Sequence, residues 1–529
     1  MDKSKLKRFA TSVRLELMGF VSAKLDFLLG LDSDNLPIEY KASKSHIEVM
    51  RSKTDSDEHK EEFIEEVAYI WFNRMVALRF MDANDITDIA TVTAEQEGAN
   101  PAIFAKAKEG DIDETLSLDR EKFYDLIDGK INSKNPENEA YAMLFVAVCN
   151  HYASVMPFMF EAIEDYTELL LPDDMLSSAS IRAKVVDAMD DESCTDIEII
   201  GWLYQFYISE KKDDVFAMLK KNKKITPSNI PAATQLFTPH WIVKYMVENS
   251  LGKLWMLNNP DSSLKEHMSY YIEPDEESQN FLSIENPEEL SILDPCCGSG
   301  HVLTYAFDLL TLIYEERGYS KSEIPSLILT HNLYGCDIDK RAATLANFAL
   351  TMKSRLYYRR FFKKPASANV LELKEYNDFK GIKNFGSLLT PTEETEDLGA
   401  LLGATNTEYN LQKHILTSAF SCVVTNPPYM GSKGMNKALS DFVKKRYPDS
   451  KSDLFAVFME RTLELTKPHG FMSMINQHSW MFLSSYEKLR VKIIENERID
   501  SLVHLGARAF EEIGGEVVQS VAFVLEKGK

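Results

Sequence analysis

Leu293-Asp294-Pro295-Cys296-Cys297-Gly298-Ser299-Gly300-His301 joins a short apolar run to a longer apolar, helix-patterned stretch. Two glycines just past a strand end let the backbone turn sharply and approach a ligand closely. The acidic residue at the strand end, Asp294, suits a ligand with a positive group or a free amine. A phosphate ligand would call for a lysine. No Gly-Lys-Ser or Gly-Lys-Thr follows, so the turn is not a P-loop. Alone, the turn also fits a plain strand-to-helix connection.

A second strand end lies in Tyr334-Gly335-Cys336-Asp337-Ile338-Asp339. A carboxylate there can accept from both hydroxyls of a ribose. Asp337 is read as that acceptor, with Ile338 beside it. A helix N-cap is the competing reading, and it also suits Asp339. In tandem the two motifs point to a nucleoside-containing cofactor without a pyrophosphate. A third strand, Cys422-Val423-Val424, runs into Thr425-Asn426-Pro427-Pro428-Tyr429. An exocyclic amine conjugated to a ring is a poor nucleophile, because its lone pair is delocalised. An enzyme must accept hydrogen bonds from it and favour the pyramidal form. The Asn426 side-chain oxygen and the Pro427 carbonyl can accept. Pro428 stiffens the turn, and neither proline nitrogen can donate. Tyr429 supplies a face for a base to stack on.

Around these motifs, short strands alternate with helical segments: Ser291–Asp294, Asn332–Asp337, Cys422–Thr425, Phe471–Asn476, Ile499–His504 and Val517–Leu525. The alternation predicts an α/β domain with a parallel, doubly wound sheet. The last pair fits an antiparallel addition at one edge. Residues 1–225 read as helical instead, with apolar residues at helical spacing in Glu61–Phe80, an apolar and aromatic stretch over Tyr141–Leu171 and a further helical candidate over Ile199–Leu219. The basic run Lys220-Lys221-Asn222-Lys223-Lys224 and the prolines after it mark a boundary, giving domains 1–225 and 226–529. Residues 271–290 hold seven acidic and no basic residues and read as a solvated loop, as does 390–410. Tyr357-Tyr358-Arg359-Arg360-Phe361-Phe362-Lys363-Lys364 interleaves aromatics with cations, and reads as a helix end with a solvated basic face rather than a nucleic-acid contact.

The 529 residues are 44% hydrophobic and 27% charged, which excludes a disordered or collagen-like chain. The net charge is −23, whereas a dedicated duplex-binding domain is usually basic. Any DNA contact must then come from a local patch, another segment or a partner. Six scattered cysteines without a CxxC pair argue against a disulfide scaffold and a zinc site, and no metal is expected. The apolar runs fall short of the ~18–20 residues of a membrane span. A cytoplasmic protein is expected.

D-P-C-C-G-S-G, G-C-D-I-D and N-P-P-Y in this order resemble the S-adenosylmethionine-dependent N6-adenine DNA methyltransferases of the gamma class. Gln235-Leu236-Phe237-Thr238-Pro239-His240 resembles their motif over the methionine moiety. With E-x-V-A-Y-x-W-F-N-R-x-x-A-L-R-F at 65–80 and G-W-L-Y-Q-F-Y at 201–207, the chain is similar to the catalytic, N-terminal portion of the PglX-type methyltransferases of BREX phage-defence systems. The resemblance implies a Rossmann-like class I S-adenosylmethionine methyltransferase domain after an α-helical domain. It implies S-adenosyl-L-methionine as cofactor, held by Phe237, Thr238, Pro239, Asp294, Pro295, Gly298, Gly300, Asp337 and Ile338. Ser387 sits where the family contacts the cofactor adenine, without the usual acidic residue. Phe458 either lines that pocket or is a plain core aromatic. Catalysis falls to Asn426, Pro427, Pro428 and Tyr429. Phe510 matches a second aromatic that stacks, with Tyr429, on the flipped base.

The implied partners are double-stranded DNA, with its target adenine flipped out, and other BREX proteins. Relatives continue beyond the last strand into a target-recognition domain, so that domain is expected to be missing from these residues. The alternatives are methylation of another amide or amine, a non-catalytic cofactor-binding scaffold, or a bifunctional restriction–modification enzyme. The nuclease of the last would rest on Asp34 and Glu39-Tyr40-Lys41, which lack the strand context a metal nuclease needs.

Overall fold

Ser56 accepts the His59 amide at 3.2 Å and caps the helix Asp57–Ala83, whose first turn carries Asp57 and Glu58 against the helix dipole. Trp71, Phe72 and Phe80 of this helix are buried, and Tyr207 packs on Phe72 with ring centroids 4.7 Å apart. Arg79 is buried too, donating to the Met189 carbonyl at 2.7 Å and to Asp191 at 2.6 Å. The computed structural model describes residues 2–96, 98–160, 166–221, 223–234, 236–274, 280–391, 407–507, 509 and 519–529. They form two compact units, Met1–Tyr207 and Ile208–Lys529.

The first unit is built on the helices Lys3–Leu29, Asp57–Ala83, Pro136–Ala153 and Glu198–Tyr207. In the apolar and aromatic stretch 141–171 the helix ends at Ala153. Among the described residues this unit has no strand, only an isolated bridge between Ala94 and Pro101. Ile38–Tyr40 is a single 3-10 turn, so the nuclease reading lacks the paired strands it requires.

The unit boundary falls earlier than the 225/226 division drawn from the basic run. The helix expected over 199–219 breaks at Ile208, and Ser209–Lys220 belongs to the second unit. Val215, Ile225 and Ile230 pack there with Met430, Leu439 and Tyr447. Burying these side chains outweighs the polar, proline-bearing look of the segment.

The second unit carries a seven-stranded sheet: β1 Ile292–Asp294, β2 Leu333–Asp337, β3 Asn369–Glu372, β4 Phe420–Thr425, β5 Thr466–Gln477, β6 Arg498–Gly506 and β7 Ser520–Glu526. The order is β3-β2-β1-β4-β5-β7-β6. Strands β1 to β5 pair in parallel, while β7 runs antiparallel between β5 and β6. Of the expected last pair, β6 takes the edge and β7 lies inside it. The sequence reading missed β3, a four-residue edge strand. Of the expected loop at 271–290, residues 275–279 lie outside the described residues, and Ile284, Pro287 and Leu290 in the remainder are buried. Most of 390–410 lies outside the described residues. Phe361 in the aromatic–basic stretch is buried, and Arg355 stacks over Phe362. No helix among the described residues is long and apolar enough to cross a membrane.

Lys253 and Asp500 form a buried ion pair at 2.7 Å, with side chains 3% and 5% exposed. Lys253→Met alone leaves the Asp500 carboxylate unpaired and should cost about 3–5 kcal/mol in denaturant unfolding. Lys253→Met with Asp500→Leu should recover most of that loss.

Candidate active site

Strand β1 lies between β2 and β4, so the chain leaves it in opposite directions along the sheet. A crevice opens at such a switch point, outside the carboxyl ends of the strands. The D-P-C-C-G-S-G, G-C-D-I-D and N-P-P-Y motifs lie at the ends of β1, β2 and β4 on that edge.

Asp294 ends β1 and is 2% exposed. Its Oδ1 accepts the Thr425 hydroxyl at 2.7 Å and the Cys296 amide at 3.1 Å, tying the end of β1 to the end of β4 and to the turn between. Burial, with a smaller contribution from the Asp337 charge, pushes its carboxyl up to about 7. Beyond it the turn closes through Gly300 N–H to the Cys297 carbonyl at 2.8 Å. Gly300 has φ +84°, and a Cβ there would meet the Ala346 Cβ at 2.9 Å. The glycine therefore serves both the turn and the close packing of helix His301–Glu316 on Lys340–Tyr357.

Asp337 ends β2. One oxygen accepts the Gly298 amide at 3.0 Å and the other the Asp339 amide at 2.9 Å. Burial is the largest cause that pushes it up to about 6. Each oxygen keeps a lone pair for a ligand hydroxyl. Asp339 accepts the Arg341 amide at 2.9 Å and caps the following helix, so the cap and the ligand-facing acid are different residues.

Asn426 follows β4. Its Nδ2 donates to the Thr238 hydroxyl at 3.0 Å and lies 3.3 Å from the Leu236 carbonyl. Its Oδ1 lies 2.7 Å from the Tyr429 hydroxyl, which is also 2.9 Å from the Ile475 carbonyl of β5. Burial holds the Tyr429 phenol protonated. Met430 N–H donates to Asp453 at 3.0 Å and Leu454 N–H to the Met430 carbonyl at 3.1 Å, pinning the proline turn to the start of helix Leu454–Glu464.

A cleft of about 790 Å³, counted out to its open mouth, runs along these strand ends. Pro295, Gly298, Asp337, Ile338, Ser387, Asn426, Pro428 and Phe458 line it. The Ser387 hydroxyl donates to the Pro295 carbonyl at 2.8 Å, so it braces the wall. Asp294, Gly300 and Pro427 are not among the residues that line the cleft. Tyr429 is half-buried beside Phe455, with its hydroxyl toward Asn426. Phe237 stacks on His301 with centroids 4.4 Å apart, and Pro239 precedes helix His240–Val247. Gln235 and Phe510 lie outside the described residues. Ile230, Pro231, Leu373 and Asn384 line the cleft without having been singled out. They are mostly apolar wall residues from separate segments, with no local chemical signal.

Strand order, switch-point crevice and the acid at the end of β2 together define the class I S-adenosylmethionine-dependent methyltransferase fold. The family described as Eco57I restriction-modification methylase matches residues 331–510. The chain is 37% identical over 99% of its length to adenine-specific methyltransferase BrxX of Escherichia coli O9:H4 (strain HS), covering 50% of that protein. It is also 37% identical, over 100% of its length, to adenine-specific methyltransferase PglX of Lacticaseibacillus casei (strain Zhang), covering 51% of it. The Type IIL restriction-modification enzyme MmeI, solved with DNA, aligns with 99% of this chain and 57% of that one, at 13% identity and a TM-score of 0.49. By sequence the chain is similar over its whole length to proteins named adenine-specific methyltransferase PglX and BrxX. It spans about half the length of those curated relatives.

Asp294 and Asp337 are raised in the folded state, so their contribution to stability is full below about pH 4 and is lost as pH rises through about 6 to 7. Asp294→Asn keeps an oxygen for Thr425 and Cys296 but cannot ionise. Its stability relative to the parent should increase from pH 5 to pH 8 in denaturant titrations. A constant difference would contradict the shift.

Proposed function

We propose that the chain is the catalytic portion of a site-specific DNA methyltransferase that transfers a methyl group from S-adenosyl-L-methionine to the N6 amine of adenine, in BREX-type phage defence. The observation that carries this reading is the Asn426 amide, held with its oxygen away from two acceptors on the wall of the cleft that Asp337 also lines.

The residues present fit this cofactor. Asp337 offers two acceptors for ribose hydroxyls, and the turn at Gly298 carries no phosphate-binding lysine. The buried carboxyls Asp294 and Asp337 favour a cationic ligand over an anionic one. When bound, the cofactor supplies an electrophilic methyl group on a sulfonium sulfur. The chain's part is to prepare the nucleophile. Asn426 Oδ1 and the Pro427 carbonyl accept the two N–H bonds of the adenine amine and favour its pyramidal, lone-pair-localised form. These acceptors strengthen as positive charge develops on the nitrogen, so they act on the rate. The proton released from the methylated amine passes to solvent. Tyr429 keeps one lone pair of Oδ1 engaged and leaves the other for the target. Stacking of the flipped base on Tyr429 and Phe510 belongs to the same reading.

Duplex DNA and other BREX proteins are the proposed partners. With a net charge of −23, phosphate contact rests on local patches, further recognition elements or those partners.

Asn426→Ala should abolish methylation while leaving cofactor affinity nearly intact, with a rate loss on the order of 10²–10³ or more. Genomic N6-methyladenine in cells carrying the complete system, measured beside cofactor affinity, checks this. Retained methylation refutes the assignment.

A further inference from the structure

An asparagine amide can be placed either way round, and only one way presents an oxygen to a target amine. Here the surroundings decide. The Leu236 carbonyl, 3.3 Å away, can only accept, so the N–H side of Asn426 must face it. Turning the amide over would set oxygen against oxygen. The second N–H meets the Thr238 hydroxyl at 3.0 Å. Thr238 is 6% exposed and is not part of the cleft wall, although Leu236 is.

We propose that Thr238 is a positioning residue for Asn426. With the Leu236 carbonyl, its hydroxyl takes both N–H bonds of the amide and sets its oxygen toward the reacting amine. The inference rests on the methyl-transfer reading and deepens it.

Two physical effects act together. The first is orientation, since the amide has one favoured face while both acceptors are present. The second is polarisation. Donating both N–H bonds draws electron density toward Oδ1 and makes it a better acceptor. The Tyr429 hydroxyl at 2.7 Å completes the fixture from the oxygen side. Because Leu236 forms part of the cleft wall, the segment that shapes the cofactor site also aims the catalytic amide. Thr238 was expected to contact the cofactor itself. The geometry gives its hydroxyl to Asn426, and the two roles differ in what they do to rate and affinity.

Thr238→Val removes the hydroxyl at nearly constant shape, and Thr238→Ser keeps it. In the complete system, the single-turnover rate of DNA methylation at saturating S-adenosylmethionine should fall about tenfold or more in Thr238→Val. Cofactor affinity should stay within about twofold, and Thr238→Ser should restore the rate. Thr238→Ala serves where the valine variant does not fold. An unchanged rate in the variant without the hydroxyl overturns the proposal. So does a rate that falls only in step with cofactor affinity, which would make Thr238 a cofactor contact. Asn426→Ala in the same assay separates the two levels. If it retains activity, the methyl-transfer reading itself fails. If it is inactive while Thr238→Val is not impaired, only the positioning role fails.

Discussion

A single buried carboxylate oxygen holds the site together. Oδ1 of Asp294 receives the hydroxyl of Thr425 and the amide of Cys296, so the ends of two neighbouring strands and the glycine turn share one acceptor. The groups on either side are those proposed to act on cofactor and target. Asp337 faces the cleft from β2, and Asn426 follows Thr425 directly. Their relative placement depends on β1 and β4 ending at the same level. Register supports this, since Leu293 pairs with Val423. The acid at the strand end thus acts as a tie beneath the ligand site rather than as part of its wall.

The cost of this arrangement is electrostatic. Two carboxyls are held close to one another in a poorly solvated place, and both are pushed up from the ordinary range. A cationic ligand with hydroxyl donors relieves that strain, and a phosphate would aggravate it. The same cleft is walled by apolar residues such as Leu388 and Phe458, which fits a flat aromatic group at one end and polar groups at the other. These surroundings suit the nucleoside with a cationic tail that is proposed as the cofactor.

Much of this was legible in the sequence because the chemistry-bearing residues announce themselves locally. A strand, a glycine turn and an acid are contiguous, and so are a strand and N-P-P-Y. What was not legible depends on distance along the chain. Asn426 and Thr238 are 188 residues apart, and nothing in either segment signals that their side chains meet. The apolar walls at Ile230 and Leu373 come from separate segments with ordinary composition. Strand β3 was missed because four residues, Asn369–Glu372, carry too little pattern, and only β2 beside them makes them a strand. The domain boundary was misplaced because a basic, proline-bearing stretch looks like a linker, while Val215 and Ile225 are buried in the second unit.

The central claim is that the crevice at the ends of β1, β2 and β4 is an S-adenosylmethionine site in which Asp337 takes the ribose hydroxyls. Isothermal titration of the chain with S-adenosylmethionine tests it most directly. The account predicts saturable binding, weakened by about 1–3 kcal/mol in Asp337→Ala through loss of charge-assisted hydrogen bonds. A folded chain that gives no binding heat at millimolar cofactor, or binding that Asp337→Ala leaves unchanged, would contradict it.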